Sequence, residues 1–295
     1  MNIQQRFDLA ALAKGATKKD RIEFKPVAPR LWFEAELYRI FAKVLAEYEA
    51  LKPGILESAS QTRKDYTADA YTLADIVSTL RSKFAQAIAF AEPGISSLFR
   101  GEARRHDEKW IDQVNRVIGV DLKAVVTSSQ IQPAITLATQ ANVALIKGLT
   151  DDVAKRVEVA IIRLVSEGAS NKAIAAELAQ IGGFGKSRAK LIAVDQAASF
   201  NGTLNQIRQR EAGVTSYTWS TARDKRVRPK HAAREGQTFR WDDPPSGGPP
   251  GSEVRCRCIA RAVLDLTETP KRQSNRVRAR TEGLRAVGAA LGLNP

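Results

Sequence analysis

Only two cysteines and two histidines occur in 295 residues. The thiols, Cys256 and Cys258, are separated by one arginine, which excludes a disulfide framework. A Cys-Arg-Cys bridge would close a very small ring, and strand neighbours two apart are far from bridge geometry. With His106 and His231 the only imidazoles, few groups are available for acid–base chemistry near neutral pH. The chain also lacks an apolar run long enough to span a bilayer, so a membrane partner is not expected. The first twenty residues, MNIQQRFDLAALAKGATKKD, have no basic lead and no small-residue cleavage site. Asp8 interrupts their short apolar piece, so they do not read as a secretory signal and synthesis in the cytosol is expected.

Positive charge, by contrast, is abundant: the formal net charge is +14. Between Arg223 and Arg280 stand fifteen Lys/Arg and seven Asp/Glu, so this stretch contributes +8 of the total. A concentrated excess favours a surface for a polyanion over a merely soluble basic protein.

The apolar pattern predicts an α+β chain, a mostly helical N-terminal body with a small C-terminal α+β module containing a short antiparallel sheet. Residues 1–28 carry no sustained periodicity and read as a mobile arm. The helical body is expected over 29–212. Leu31, Phe33, Leu37, Ile40, Phe41, Val44, Leu45 and Tyr48 recur at helical spacing, with Pro53-Gly54 as the stop. A second helix from Tyr71 to Ala91 is expected to end at Pro93-Gly94, and further helices fall around 102–118, 131–149 and 151–166. GASNKAIAAELAQ (168–180) reads as an ordinary helix capped by Ser170 in preference to a helix-turn-helix, because no base-reading second helix stands out. GGFGKSR (182–188) is not a phosphate-binding loop: the required earlier glycine position holds Gln180 and a helix, not a strand, precedes it. It reads as a glycine turn, with Ser187 capping a helix to about Glu211. His106, in RRHDEKW, reads as exposed on a charged helix.

From Gly213 the texture changes. SYTWSTA (216–222), QTFRW (237–241) and VRCRCIARAVL (254–264) read as strands, and PKHAAREG as a two-turn helix between Pro229 and Gly236. In the last strand Val254, Cys256, Cys258, Ala260 and Ala262 would share one face, and Arg255, Arg257, Ile259, Arg261 and Val263 the other. The module is bounded at 213–266, and 267–295 forms a basic tail, with a helix around Arg280–Leu291.

Trp219 and Thr221 are followed by Asp224, Arg226, Val227, Arg228 and His231 in Asp-x-Arg-Val-Arg-x-x-His order. Gly236, Pro250-Gly251 and Cys256-Arg257-Cys258 come next. This series, over about 188 to 264, resembles the phage Mu F-like minor head proteins, the head morphogenesis family of tailed bacteriophages. The resemblance implies a non-enzymatic minor capsid component of the virion, associated with the portal protein, other head proteins or the head interior. It would be made in the host bacterial cytoplasm. Some relatives carry extra cysteines near the histidine position, where this chain has only Lys230-His231.

Three site readings follow from the residues. His231, Cys256 and Cys258 are donors suited to zinc; a structural site wants four, the fourth coming from Asp224, Asp242, Asp243 or water. The competing reading makes both thiols small buried hydrophobes. Arg223, Lys225, Arg226, Arg228, Lys230, Arg255, Arg257 and Arg261 converge if the first and last strands of the module pair. They would then contact the phosphates of packaged double-stranded DNA without reading its bases, or pair with acidic groups. The functional alternative is a zinc- or thiol-dependent enzyme or toxin acting on host nucleic acid, with His231 activating one of the cysteines.

Overall fold

The computed structural model describes residues 3–14, 16–62, 70–267, 277–278 and 281. Their elements are α1 (Leu9–Ala13), β1 (Arg21–Glu23), α2 (Leu31–Thr62), α3 (Ala70–Ile118), α4 (Gln132–Ser166), α5 (Asn171–Glu211), β2 (Ser216–Ser220), α6 (Pro229–Ala232), β3 (Thr238–Arg240) and β4 (Ile259–Asp265). The fold is a mostly helical chain with one small antiparallel sheet, the class expected from its pattern. No helix among the described residues is long and apolar enough to cross a membrane.

The helices are longer than their punctuation suggests. Pro53 lies inside α2 and Pro93 inside α3. An interior proline costs a helix roughly 3 kcal/mol, but both helices keep burying apolar residues beyond it: Ile55 and Ala59 in α2, Ile95, Leu98 and Phe99 in α3. Packing on both sides of the proline outweighs the local penalty. The stretches 131–149 and 151–166 merge in the same way into α4. Ser170 does cap α5, its Oγ accepting from the Ala173 N–H at 3.2 Å. Residues 182–188 are helical, however, and no turn interrupts α5 there. Gly185 sits where a Cβ would meet Val153 and Leu45, so this glycine serves close helix packing.

The chain divides into two compact units, with boundaries unlike the expected 29–212 body. One comprises Leu31–Phe99 and Thr136–Gln196, and its described elements are all helices. Its core includes Leu37, Phe41, Leu80, Phe84, Val153, Val157, Ile174 and Leu178. Tyr48 ties two of its helices by donating to the Leu178 carbonyl at 2.7 Å.

The other unit takes the described residues of Met1–Arg30, Arg100–Ile135 and Ala197–Pro295. Its sheet has the order β1-β4-β2-β3, all antiparallel. The predicted pairing of the first and last module strands is present, with Trp219 opposite Ala260 and Ser216 opposite Val263. The predicted mobile arm is not. Residues 21–23 form β1 on the free edge of β4, with Ile22 opposite Leu264. Phe7, Leu9, Leu12 and Phe24 are buried in a core with Trp110, Val114, Leu122, Ala262 and Leu264. Each apolar residue of this short segment is individually weak as a periodic signal, and burial comes from partners far away in sequence, such as Trp110 and Leu264. Most of 267–295 lies outside the described residues, including the expected helix around 280–291. Within it Thr281 is buried, its Oγ accepting from the Asp8 N–H at 3.1 Å.

A buried polar cluster sits beneath this core. Arg208 makes a two-pronged pair with Asp107, both contacts 2.7 Å, and a further contact to Glu211 at 2.8 Å. His106, expected to be exposed, is fully buried, and burial holds its pKa down to about 3, so the imidazole is neutral.

Candidate functional site

The C-terminal module is built on β2. Tyr217, Thr218 and Trp219 are buried there, and the Trp219 backbone is bracketed by α6's exit turn. Its N–H donates to the Gln237 carbonyl at 2.8 Å and its C=O accepts from Gly236 N–H at 2.9 Å. Gly236 makes this return with φ +74°, a conformation that favours glycine. Around β2 a small core collects Tyr217, Trp219, Trp241, Cys256, Cys258 and Ala260.

The Pro/Gly loop returns the chain to β4 by docking on α5. Gly251 adopts φ +92°, and a Cβ there would lie 3.2 Å from the Ala198 carbonyl oxygen and 3.2 Å from Gly202 Cα. A Cβ on Gly202 would lie 2.7 Å from the Pro250 carbonyl oxygen. Two backbones therefore touch where neither can carry a side chain, which accounts for the Pro250-Gly251 pair. Gly202 escaped the sequence reading, although an isolated glycine inside a helical pattern is a signal of close approach.

The predicted strand over 254–264 begins only at Ile259. Residues 254–258 form a turn and an irregular approach, with Cys256 N–H bonded to the Glu253 carbonyl at 2.9 Å and Arg255 at φ +60°. The strand does not extend further back, because Ile259 already pairs with Ser220, the last residue of β2. Val254, expected on the inner face, is exposed, while Cys256, Cys258, Ala260 and Ala262 are buried as the alternation predicts.

That turn delivers both thiols to α6. Cys256 Sγ and Cys258 Sγ each lie 3.6 Å from His231 Nδ1, and all three side chains are buried. The donor atoms lie within 4.8 Å of one another. The Trp219 ring stands edge-on to the imidazole at 5.1 Å. On the opposite edge of the ring, Glu253 Oε2 is 3.3 Å from Nε2. Glu253 itself is fixed by Lys230 Nζ at 2.6 Å, with Arg228 at 3.7 Å, and these cations hold its carboxyl below the ordinary range, Lys230 foremost. Sharing of a proton separates the two thiols. The hydrogen bond with Cys258 draws Cys256 down, helped by the Gly251 and Cys258 backbone N–H groups, and Cys258 is driven up in consequence.

Asp224 does not join this group. It is engaged by Arg257 at 2.6 Å and by the Arg226 N–H at 3.0 Å, which pull its carboxyl down to about 2. Its part is to brace the turn after β2 against the Cys-Arg-Cys segment. Asp242 likewise pairs with Arg240 at 2.8 Å. Glu253 is the carboxylate that meets the histidine.

The basic residues fall in separate pairs, most held by carboxylates of their own unit. Arg223 reaches Glu235 at 2.9 Å, and Glu235 Oε2 also accepts the Thr221 N–H at 2.6 Å. Arg226 and Arg257 flank Asp224, Lys230 and Arg228 flank Glu253, and Arg261 lies 3.4 Å from Glu23. Arg228 also donates to the Val254 carbonyl at 2.6 Å. Lys225 is exposed, as is Arg255, at the rim of this network.

Residues 155–261 match the family described as Phage Mu protein F like protein. The resemblance carried by the series from Trp219 to Cys258 is thus found over that segment, which includes β2, α6, the Pro/Gly loop and the start of β4. A relative from Haemophilus influenzae, named only "Uncharacterized protein", is 35% identical over 171 residues. The match covers 57% of this chain and 38% of the relative, so the chain spans well under half of that protein's length. No solved structure matches the chain.

Proposed function

We propose that this protein is a non-enzymatic minor head component of a tailed bacteriophage, made in the host bacterial cytoplasm and built into the head near the portal. Its partners are the portal protein and other head proteins. The C-terminal module presents its basic rim to packaged duplex DNA without sequence preference. The observation that carries this reading is the Mu F-like segment, because its matched residues take in the folded module with its motif side chains in structural positions. Trp219 fills the module core, Gly236 and Gly251 shape its turns, and Asp224 braces two of its segments. A family motif whose residues serve packing and bracing supports an assembly role more than a catalytic one.

Burial argues in the same direction. His231, Cys256 and Cys258 form the chain's nucleophile–base constellation, and all three lie beneath the surface. A substrate polymer would have no approach to them, which weighs against the enzyme or toxin reading. The basic rim suits phosphate contact of a positioning kind. Its arginines are already oriented by Asp224, Glu235 and Glu253, so little side-chain freedom is lost on docking.

Mass spectrometry of purified virions and of empty proheads tests the assembly role: the protein is expected in both, and its absence from both would overturn the reading. DNA contact is tested separately by titrating the protein with random-sequence duplex at several salt concentrations. Affinity is expected to fall steeply with salt and to be reduced by Lys225→Glu with Arg255→Glu. A salt-independent affinity, or none, would remove DNA from the list of partners.

A further inference from the structure

We propose that His231, Cys256 and Cys258 hold a zinc ion that pins the Pro/Gly loop to α6, a structural metal centre with a carboxylate behind its histidine. Three observations carry it, and none depends on where the protein sits in a particle.

Both sulfurs converge on the same nitrogen. Cys256 Sγ and Cys258 Sγ are each 3.6 Å from His231 Nδ1. A ring nitrogen has a single lone pair or a single N–H, directed along one line in the ring plane, so it cannot form good hydrogen bonds to two thiols at once. A cation on that line satisfies all three groups.

The spacing is that of a coordination tetrahedron. Bonds of about 2.3 Å to sulfur and about 2.0–2.1 Å to nitrogen, set at the tetrahedral angle, place sulfur and nitrogen about 3.5–3.6 Å apart. Both sulfur–nitrogen distances match that edge, and the three donor atoms all lie within 4.8 Å of one another. Soft thiolates with an imidazole select zinc over magnesium or calcium, which prefer oxygen donors.

The far side of the ring is also prepared. Glu253 Oε2 faces Nε2 at 3.3 Å, while Lys230 holds its other oxygen. A carboxylate there favours the tautomer with the proton on Nε2, leaving the Nδ1 lone pair toward the sulfurs. In carboxylate–histidine–zinc arrangements the carboxylate accepts the other ring N–H and orients the ligand; Glu253 stands in that position by charge and distance, without an aligned hydrogen bond to Nε2. Asp224, committed to Arg257, is not a donor. The described residues supply three donors, and a water molecule takes the fourth position.

The ion would join α6 to a turn twenty-five residues later. That closure stabilises the loop between β3 and β4, where the local structure otherwise consists of turns.

The test uses the full chain, purified under reducing conditions with zinc in the growth medium. Elemental analysis is expected to give about one zinc per chain, and less than about a tenth would overturn the proposal. Cobalt(II) added to the chelator-stripped protein is expected to produce thiolate-to-cobalt charge-transfer absorption and visible bands of tetrahedral strength. Their absence would overturn it independently of any variant. C256S, C258S and H231Q should each lose the metal, while D224N keeps it. Retention by a C256S/C258S double variant would likewise refute the site.

Discussion

Gly202 on α5 and Gly251 in the Pro/Gly loop approach so closely that a Cβ on Gly251 would lie 3.2 Å from Gly202 Cα. This contact anchors the loop that carries Glu253 and the two thiols, so the cysteine segment is positioned by a helix that contributes no ligand. Gly202→Ala is expected to destabilise the protein by about 1–3 kcal/mol, because its Cβ would meet backbone and not a flexible side chain. Gly251→Ala should cost as much or more, since its φ of +92° adds strain to the clash. Urea denaturation of both variants measures this; midpoints unchanged from the parent would show that the contact is loose.

The N-terminal segment is predicted to be indispensable. Phe7, Leu9, Leu12 and Phe24 are all buried, and fully burying an apolar side chain of this size is worth roughly 1.5–3 kcal/mol. Their sum is comparable with the whole net stability of a typical domain, about 5–15 kcal/mol. A chain beginning at residue 25 should lose the cooperative unfolding of the sheet-bearing unit and expose Trp110 to quencher. Retained tryptophan protection would mean that the segment decorates a core that stands without it.

The Arg208–Asp107 pair is buried and two-pronged. Burial pushes the Asp107 carboxyl up against the pull of the guanidinium, so the pair is costly to break and weak as a net stabiliser. Asp107→Ala, which strands the arginine, is expected to cost about 3–5 kcal/mol. Replacing Arg208 and Asp107 together by methionine and leucine should cost less than the single change. Chemical denaturation of the two variants decides, and a double variant worse than the single would reverse the interpretation.

His106 gives stability a dependence on pH. Its pKa falls from 6.5 to about 3 on folding, with desolvation as the largest cause. Below the upper value the unfolded chain takes up a proton that the folded chain refuses, so stability declines as pH drops toward the lower one. The slope from one such group approaches about 1.4 kcal/mol per pH unit. Comparing denaturation midpoints of the parent and His106→Leu from about pH 6 to about pH 4 isolates this contribution, because the carboxylates titrate in both. Parallel curves would show that His106 is protonated in the native state.

Much of the module is legible in its sequence. Alternation in VRCRCIARAVL predicted burial of Cys256, Cys258, Ala260 and Ala262, and a long Pro/Gly connection implied that β4 returns beside β2. The convergence of His231 on the thiols was also foreseeable from two strand-face residues and one short helix. What remained hidden was hidden for physical reasons. Proline at 53 and 93 carries a strong local penalty, and only packing on both sides, a tertiary quantity, explains why the helices continue. His106 was masked by Arg104, Arg105, Asp107 and Glu108 around it, although Ala103, His106, Trp110 and Val114 recur at helical spacing and are all buried. The role of Glu253 depended on a turn whose left-handed residue, Arg255, no propensity would suggest.

Because β1 at residues 21–23 pairs with β4 at residues 259–265, the sheet-bearing unit is interrupted by the helical one along the chain. On a ribosome the strand Arg21–Glu23 emerges more than two hundred residues ahead of β4 and waits for that partner. The helical unit, complete by Gln196, is available to fold throughout that interval. Contacts of such long sequence separation form late, so synthesis itself sets a timer, and the basic rim and its cysteine segment take shape only once β4 has been made. Nascent chains stalled before residue 259 should therefore yield to protease within residues 3–24, while released chains resist.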